Sequence, residues 1–263
     1  MPAPGTQCRS RPWLLREDHG EPSRFARNTP VLEESVSGSV EAVVFDLDGT
    51  VVDTPDLIGR IIGVTAGELG YSVAPAVVRS TIGTPLVVSF AQLFGLPADD
   101  RRVAAAVAAY RARFDVQVVE HGSKLPFRGV VDGLAVLRAR GLALAVATSR
   151  ILASARLVLD ASGLAGAFDA VVGYDEVANG KPAADTALLA ARRLGVAPGR
   201  CQVVGDAVGD MLMGVRAGMR TLGVSYGVGG VDDLTAAGAR RVVGDFPSVV
   251  ADVLPGDSER HSP

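Results

Sequence analysis

The feature that most constrains the fold is a series of short apolar runs, rich in Val and Ala, that recur from residue 41 onward. Six runs have the length and composition of buried strands: 42–45, 142–147, 170–172, 201–204, 221–224 and 241–243. Helices are predicted between the later runs, near 130–140, 151–162, 183–195, 208–218 and 231–238. Glycines stand where helix C-caps are expected, at Gly141, Gly163, Gly195 and Gly218. Strands that alternate with helices predict an α/β fold, a doubly wound parallel sheet covered on both faces.

One interval breaks this alternation. Residues 56–124 contain no good strand, and helical patterns occur near 55–70, 75–80, 84–94 and 99–118. A single crossover helix would normally suffice after the first strand, so we interpret 56–124 as an inserted helical subdomain. The α/β core then comprises 41–55 and 125–254.

The two ends of the chain differ from the rest. Residues 1–40 have scattered Pro, Arg and Glu and no periodic apolar pattern, which predicts a disordered N-terminal tail. A signal peptide would need an apolar core, and a transit peptide would be poor in acidic residues. Residues 255–263 are interpreted as a short C-terminal tail.

Composition excludes several classes of protein. The net charge is −3 and no dense Lys/Arg stripe occurs, so we expect no nucleic-acid partner. No apolar run is long enough to span a membrane. Cys8 and Cys201 lie far apart and indicate neither a disulfide framework nor a zinc site. The sequence therefore favours a soluble cytoplasmic protein, and it leaves open whether the protein is a monomer or a homodimer.

The first candidate site is the acidic loop Asp46-Leu47-Asp48-Gly49-Thr50, directly after the first strand. Sites in open parallel sheets form at the carboxyl ends of strands. Asp46 can act as a nucleophile and form an aspartyl-phosphate, while Asp48 can serve as general acid and base. Gly49 permits a sharp turn that brings the backbone close to a phosphate. The alternative is an ordinary Asp-Gly surface turn.

Two further candidates follow later strands. The Thr148 hydroxyl, with the backbone amides after it, can hold phosphoryl oxygens, or it can simply cap the helix near 151. Lys181 lies between Gly180 and Pro182 in a defined loop, from which it can neutralise a carboxylate and a phosphate together. An ordinary solvated lysine is the alternative.

The fourth candidate is the segment Gly205-Asp206-Ala207-Val208-Gly209-Asp210, which follows the strand at 201–204. Carboxylates beside a phosphate site suit Mg²⁺, which prefers oxygen ligands. Asp206 is the better candidate for a direct ligand. Asp210 can act through water, orient Lys181, or merely place a favourable charge in the first turn of a helix.

Together these four motifs resemble the haloacid dehalogenase superfamily from about residue 41 to residue 254. Within it the chain is similar to the phosphoglycolate phosphatase-like branch, through three segments: Asp46 to Thr54, Thr81-Ile82-Gly83-Thr84-Pro85 and Pro126-Phe127-Arg128-Gly129-Val130. The resemblance implies a core with central strand order 5-4-1-2-3 and a helical cap inserted after the first strand.

The resemblance also implies a role for each matching residue. Asp46 is the implied nucleophile and Asp48 the implied general acid/base. Mg²⁺ would be held by the Asp46 and Asp206 carboxylates and the Asp48 carbonyl, with Asp210 beside them. The phosphoryl group would be bound at Gly49, Thr148 and Ser149, with its charge stabilised by Lys181. Because an alkoxide leaving group needs a proton and a halide does not, Asp48 favours phosphate esters over carbon–halogen bonds.

Two residues depart from the family pattern. Ala207 stands where a polar residue is usual, and Arg150 follows Ser149 where Lys or Asn is common. Arg150 can contact substrate or form a surface ion pair, and both are left open. The function expected is Mg²⁺-dependent hydrolysis of a small phosphorylated metabolite, such as phosphoglycolate or a related phosphomonoester. A phosphomutase of the β-phosphoglucomutase type and a non-catalytic binding domain are the alternatives.

Overall fold

The computed structural model describes residues 39–254. Residues 1–38 of the predicted N-terminal tail at 1–40, and the whole predicted C-terminal tail at 255–263, lie outside the described residues. All six predicted strands are present and form one sheet. They are β1 (Ala42–Phe45), β2 (Ala143–Ala147), β3 (Ala170–Val172), β4 (Cys201–Gly205), β5 (Arg220–Val224) and β6 (Arg241–Val243). Their order is β3-β2-β1-β4-β5-β6 and every neighbouring pair is parallel. The expected fold class is therefore confirmed, with β6 added at the edge of the expected 5-4-1-2-3 core.

Strand β1 lies at the centre of the sheet and is buried on both faces. Val43 and Phe45 point into one apolar cluster, while Ala42 and Val44 point into the other, as the two-residue period of a strand requires. On the first face the Phe45 ring stacks on Phe246 with centroids 5.8 Å apart. A strand covered on both sides has no polar face, which explains why the run at 42–45 is continuously apolar.

Ten α-helices accompany the sheet in the described part of the chain, together with short 3₁₀ turns. Four lie in the interval 55–121 after β1: α1 (Pro55–Glu68), α2 (Pro75–Arg79), α3 (Leu86–Phe94) and α4 (Arg101–His121). The others are α5 (Val130–Ala139), α6 (Leu152–Ala161), α7 (Asp185–Leu194), α8 (Val208–Arg216), α9 (Val231–Ala236) and α10 (Phe246–Val253). Helix α7 ends at Gly195, whose φ of 69° is the left-handed C-cap that the sequence predicted.

The four helices after β1 pack around their own aromatic cluster. Tyr110 and Phe114 of α4 stack with centroids 5.5 Å apart, and Phe90 of α3 meets the Tyr110 ring at 6.3 Å. Helix α4 also packs against α6, which in turn contacts strand β3 of the sheet. The division of the chain into a core and a cap remains a prediction. None of the helices in residues 39–254 is both long enough and apolar enough to cross a membrane.

Candidate active site

The carboxyl ends of the adjacent strands β1 and β4 bring the first and fourth motifs together. Asp46 follows β1 directly, and its N–H donates to the carbonyl of Val204 in β4 at 2.9 Å. Asp206 follows β4 in the same way, and both carboxylates are buried. Parallel pairing of these two strands therefore places side chains that are 160 positions apart in the sequence at one edge of the sheet.

Lys181 links two of the acidic residues. Its ammonium donates to Asp46 Oδ1 and lies 2.6 Å from Asp210 Oδ1, and the side chain is only 4% exposed. Burial lowers the pKa of Lys181, but the Asp210 and Asp46 carboxylates outweigh it and hold the pKa above its ordinary value. The lysine therefore stays charged, and the alternative of a solvated lysine is wrong. The contact with Asp210 matches the orienting role considered for that residue.

Asp206 is fixed by two donors. The Thr50 hydroxyl donates to its Oδ1 at 2.9 Å, and the backbone N–H of Val228 donates to its Oδ2 at 2.8 Å. Burial, and then the charge of Asp210, raise its pKa to about 7. The pKa of Asp46 is also raised well above the ordinary value, chiefly by burial, and Lys181 only partly offsets this rise.

The three buried carboxylates form a set that fits a metal ion. Asp46, Asp206 and Asp210 each offer an oxygen, and these atoms lie within 4.8 Å of one another. Lys181 supplies one positive charge beside these three carboxylates. If all three are ionised, the buried cluster therefore carries an excess of negative charge. A divalent cation with oxygen ligands would offset that excess.

Glycines allow two loops to close over Asp206. A Cβ built on Gly49, whose φ is 89°, would lie 2.2 Å from Asp206 Oδ2. A Cβ on Gly227, in the loop after β5, would lie equally close to the same oxygen. Both positions therefore require glycine for lack of space, and Gly49 requires it for its backbone conformation as well.

The second motif lies at the carboxyl end of β2. The Thr148 N–H donates to Val172 at 3.0 Å, and its buried hydroxyl accepts from the N–H of Arg150 at 3.2 Å. Helix α6 begins later, with Ile151 at a cap that has no side-chain hydrogen bond. Thr148 thus caps the turn before the helix rather than the helix itself. The buried hydroxyl oxygen of Ser149 has no hydrogen-bond partner in the described structure, so it remains available to a ligand.

The Arg150 guanidinium forms an ion pair with Asp48. Its Nε and Nη2 donate to the two carboxylate oxygens at 2.6 and 2.8 Å, and the two side chains are 10% and 11% exposed. The surface ion pair left open by the sequence is therefore wrong, since this pair is largely buried. Thr54 donates its hydroxyl to Asp48 as well.

Two cavities adjoin these groups. A cleft of about 690 Å³ is lined by Asp46, Asp48, Lys181 and Asp206, and on its other side by Ile82 and further residues of the segment 76–84. A smaller cavity of about 50 Å³ lies between Ser149 and Arg150 on one side and residues of helices α1, α3 and α4 on the other. The structure thus places Asp46, Lys181, Asp206 and Asp210 on one cleft, and Ser149 and Arg150 on the adjoining cavity, with Asp48 lining both. Thr148 lines neither cavity and contacts Arg150, and the roles of all these residues remain predictions.

Sequence reasoning missed several supporting groups. Thr50 lies inside the first motif, and the glycine-rich stretch Gly227-Val228-Gly229-Gly230 follows a strand, so both carried a detectable signal. Phe114 carried none, because its ring lies 4.0 Å from the Arg150 guanidinium only through the packing of α4.

Comparisons with known proteins agree with this arrangement. Residues 43–224 match the model of the haloacid dehalogenase-like hydrolases. The chain is 44% identical over 209 residues to a probable phosphatase of Dickeya dadantii, covering 79% of this chain and 91% of the relative. It is 30% identical over 218 residues to the phosphoglycolate phosphatase of Escherichia coli, covering 72% and 82% respectively.

A solved structure extends the similarity to three dimensions. A haloacid dehalogenase-like hydrolase from Streptococcus pneumoniae superimposes with a TM-score of 0.69 at 26% identity, covering 81% of this chain and 98% of that one. The chain therefore belongs to the haloacid dehalogenase-like hydrolase family, among relatives that are named as phosphatases.

Proposed function

We propose that this protein is a Mg²⁺-dependent phosphatase that hydrolyses a small phosphomonoester through an aspartyl-phosphate on Asp46. The observation that carries the proposal is the meeting of Asp46, Lys181 and Asp206 at the ends of β1 and β4, beside a cleft of about 690 Å³. That volume is within the usual range for small-molecule sites. The phosphatase names of the relatives support it, and phosphoglycolate or a related ester is the substrate we propose.

Each residue has a part in the proposed reaction. Asp46 attacks phosphorus in line, and its bond to Lys181 orients the carboxylate and favours its ionised form. Lys181 then offsets charge on the transferring group, with the hydroxyls of Thr148 and Ser149 and the backbone at Gly49 holding phosphoryl oxygens. Asp48 donates a proton to the leaving oxygen and later takes one from the attacking water. Mg²⁺, held by Asp46, Asp206 and the Asp48 carbonyl with Asp210 nearby, would supply further charge stabilisation.

We further propose that residues 56–124 act as a cap that excludes water and selects the substrate. Ile82, Gly83 and Thr84 of this segment border both cavities, which supports a contact with the leaving group. A cytoplasmic location and a monomeric or homodimeric state remain predictions.

The test is phosphate release from p-nitrophenyl phosphate and from phosphoglycolate, with Mg²⁺ and with EDTA. We expect release only with the metal, and an acid-quenched reaction should carry one phosphoryl group on the protein. Asp46→Asn should abolish release, whereas Asp132→Asn, the same change at an exposed carboxylate of α5, should not.

Three outcomes would contradict the proposal. Undiminished release by Asp46→Asn would refute the aspartyl-phosphate. Isomerised sugar phosphate without free phosphate would point to a phosphomutase. No release from any phosphate ester by the unmodified protein would favour a non-catalytic binding domain.

A further inference from the structure

Arg150 is held in the geometry that arginine adopts to bind a carboxylate. Two of its nitrogens donate to the two oxygens of Asp48, which is the parallel, bidentate arrangement that gives Arg–carboxylate pairs their specificity. Its third nitrogen, Nη1, donates to the Ser154 hydroxyl at 3.2 Å. The guanidinium is therefore oriented by the protein as well as by its partner.

The surroundings of this guanidinium are buried. The ring of Phe114 in α4 lies 4.0 Å from the guanidinium carbon, a cation–π contact, and the side chain of Arg150 is 10% exposed. Burial lowers the pKa of Arg150, and Asp48, with a smaller contribution from Tyr110, outweighs it and keeps the guanidinium charged. Removing that carboxylate without a replacement would leave an unpaired buried charge, which is strongly unfavourable.

The proposed chemistry requires that Asp48 become available. A carboxylate has about four lone-pair positions, and here three are used: two by Arg150 and one by Thr54. A general acid must reach the leaving oxygen. To act as a general acid Asp48 must also carry a proton, and a protonated carboxyl group is neutral, so another anion must then compensate the guanidinium.

The cavity beside Arg150 is suited to a small anionic group. It is bounded on the insert side by Ile58, Ile82 and Tyr110, and among its described lining residues Asp48, Arg111 and Arg150 are the charged ones. Because two arginines and one carboxylate line the cavity, its lining carries a net positive charge. Its volume of about 50 Å³ has room for about three to five water-sized groups, which is the size of a two- or three-carbon acid.

We propose that Arg150 is the specificity-determining residue for the leaving group, and that a carboxylate of the substrate replaces Asp48 on its guanidinium. Once it has left the guanidinium, the Asp48 carboxylate can take up a proton from water and give it to the leaving oxygen, so the substrate itself makes the acid available. The inference rests on the proposed phosphatase function and narrows the substrate to a phosphomonoester of a small hydroxy acid.

A matched pair of substrates tests the inference. 2-Phosphoglycolate and 2-phosphoglycolamide have almost the same shape, but a neutral amide group replaces the carboxylate that Arg150 would bind. For the unmodified protein we expect kcat/KM to be about tenfold or more higher for the acid, as loss of a buried charged partner implies. A ratio near one would overturn the inference, and this measurement needs no variant.

Variants then assign the effect to Arg150. Arg150→Gln should lower kcat/KM for the acid by about a hundredfold. For the amide the loss of kcat/KM should be at least tenfold smaller, because the amide offers no charge for the guanidinium to bind. Arg150→Lys keeps the positive charge but loses the planar guanidinium that donates two parallel hydrogen bonds. It should therefore raise KM for 2-phosphoglycolate and affect kcat less. Arg138→Gln, which removes the exposed arginine paired with Asp169, is the matched control and should change neither substrate.

The outcomes separate the possible failures. An equal loss on both substrates in Arg150→Gln would mean that Arg150 only positions Asp48, and it would overturn the exchange. Suppose that p-nitrophenyl phosphate is hydrolysed in an Asp46-dependent reaction, but 2-phosphoglycolate is not preferred over 2-phosphoglycolamide. This inference would then be wrong, while the proposed phosphatase function would stand. Absence of phosphate release from every ester would sink the proposed function itself.

Discussion

Thr50→Val isolates one hydrogen bond to the candidate metal ligand Asp206. The two side chains have nearly the same shape, and Thr50 is fully buried, so the change removes a hydroxyl without creating a cavity. What is lost is the 2.9 Å bond to Asp206 Oδ1, which leaves the N–H of Val228 as the remaining donor to that carboxylate. The Thr50 hydroxyl favours the ionised form of Asp206, so its loss should raise the pKa of Asp206 further above about 7.

The expected size follows from the charge on the acceptor. Hydrogen bonds to charged groups contribute about 1.5–3 kcal/mol. If Asp206 binds the metal as an anion, that energy should appear as about a ten- to hundredfold weaker Mg²⁺ affinity at neutral pH. In the metal-free protein the loss of stability should be larger at pH 8 than at pH 5, since Asp206 is ionised only above about pH 7.

Thermal unfolding in EDTA and over a Mg²⁺ titration measures both quantities. Thr221→Val is the matched control: that threonine is also buried, but its hydroxyl donates to the carbonyl of Gly238, away from the carboxylates. The control should lose stability without a change in Mg²⁺ affinity. Equal Mg²⁺ affinity in Thr50→Val and the unmodified protein would refute the assignment of Asp206 as a ligand.

Three further predictions concern the core, the lysine and pH. Gly133→Ala should destabilise the protein by about 1–3 kcal/mol, because the added Cβ would lie 2.7 Å from the Phe246 ring. Gly63→Ala, whose Cβ would meet open space beside α1, should stabilise the protein slightly. Urea unfolding measures both changes in stability. Lys181→Met should lower kcat by about 10²- to 10³-fold in steady-state assays with Mg²⁺, and activity within a factor of two would contradict its role. Without metal, the free energy of unfolding should fall as pH rises from about 4 to 7, because Asp206 keeps a proton in the folded protein that it releases in the unfolded chain, where its pKa is near 3.8. Mg²⁺ should raise Tm more at pH 8 than at pH 5. An equal rise in Tm at the two pH values would contradict this prediction.

The sheet could be predicted because its strands are buried on both faces. Runs such as 42–45 have no polar position, so their composition alone identifies them. Helix α10 was missed although Asp245 caps its N-terminus and Pro247 stands in its first turn, which are both helix-start signals. The segment that forms α10 is short and follows the last strand, where the alternation of strand and helix no longer requires another element.

The candidate site was predictable to the extent that its residues follow strands directly. Asp46 and Asp206 obey that rule, and parallel pairing of β1 with β4 brings them together. The contact of Arg150 with Phe114 could not be predicted, because it depends on how α4 packs against the region of α6. Such contacts arise between elements distant in the sequence and leave no periodic pattern in it.

The two glycines against Asp206 limit how this protein can change by mutation. At Gly49 and at Gly227 even one added carbon would collide with the same carboxylate oxygen, so single substitutions there should cost the site its geometry. A variant library would therefore find almost no tolerated changes in these loops. New substrate preferences, whether selected in the laboratory or by descent, should instead arise at residues such as Arg111, which lines the cavity beside Arg150 without being buried in the core.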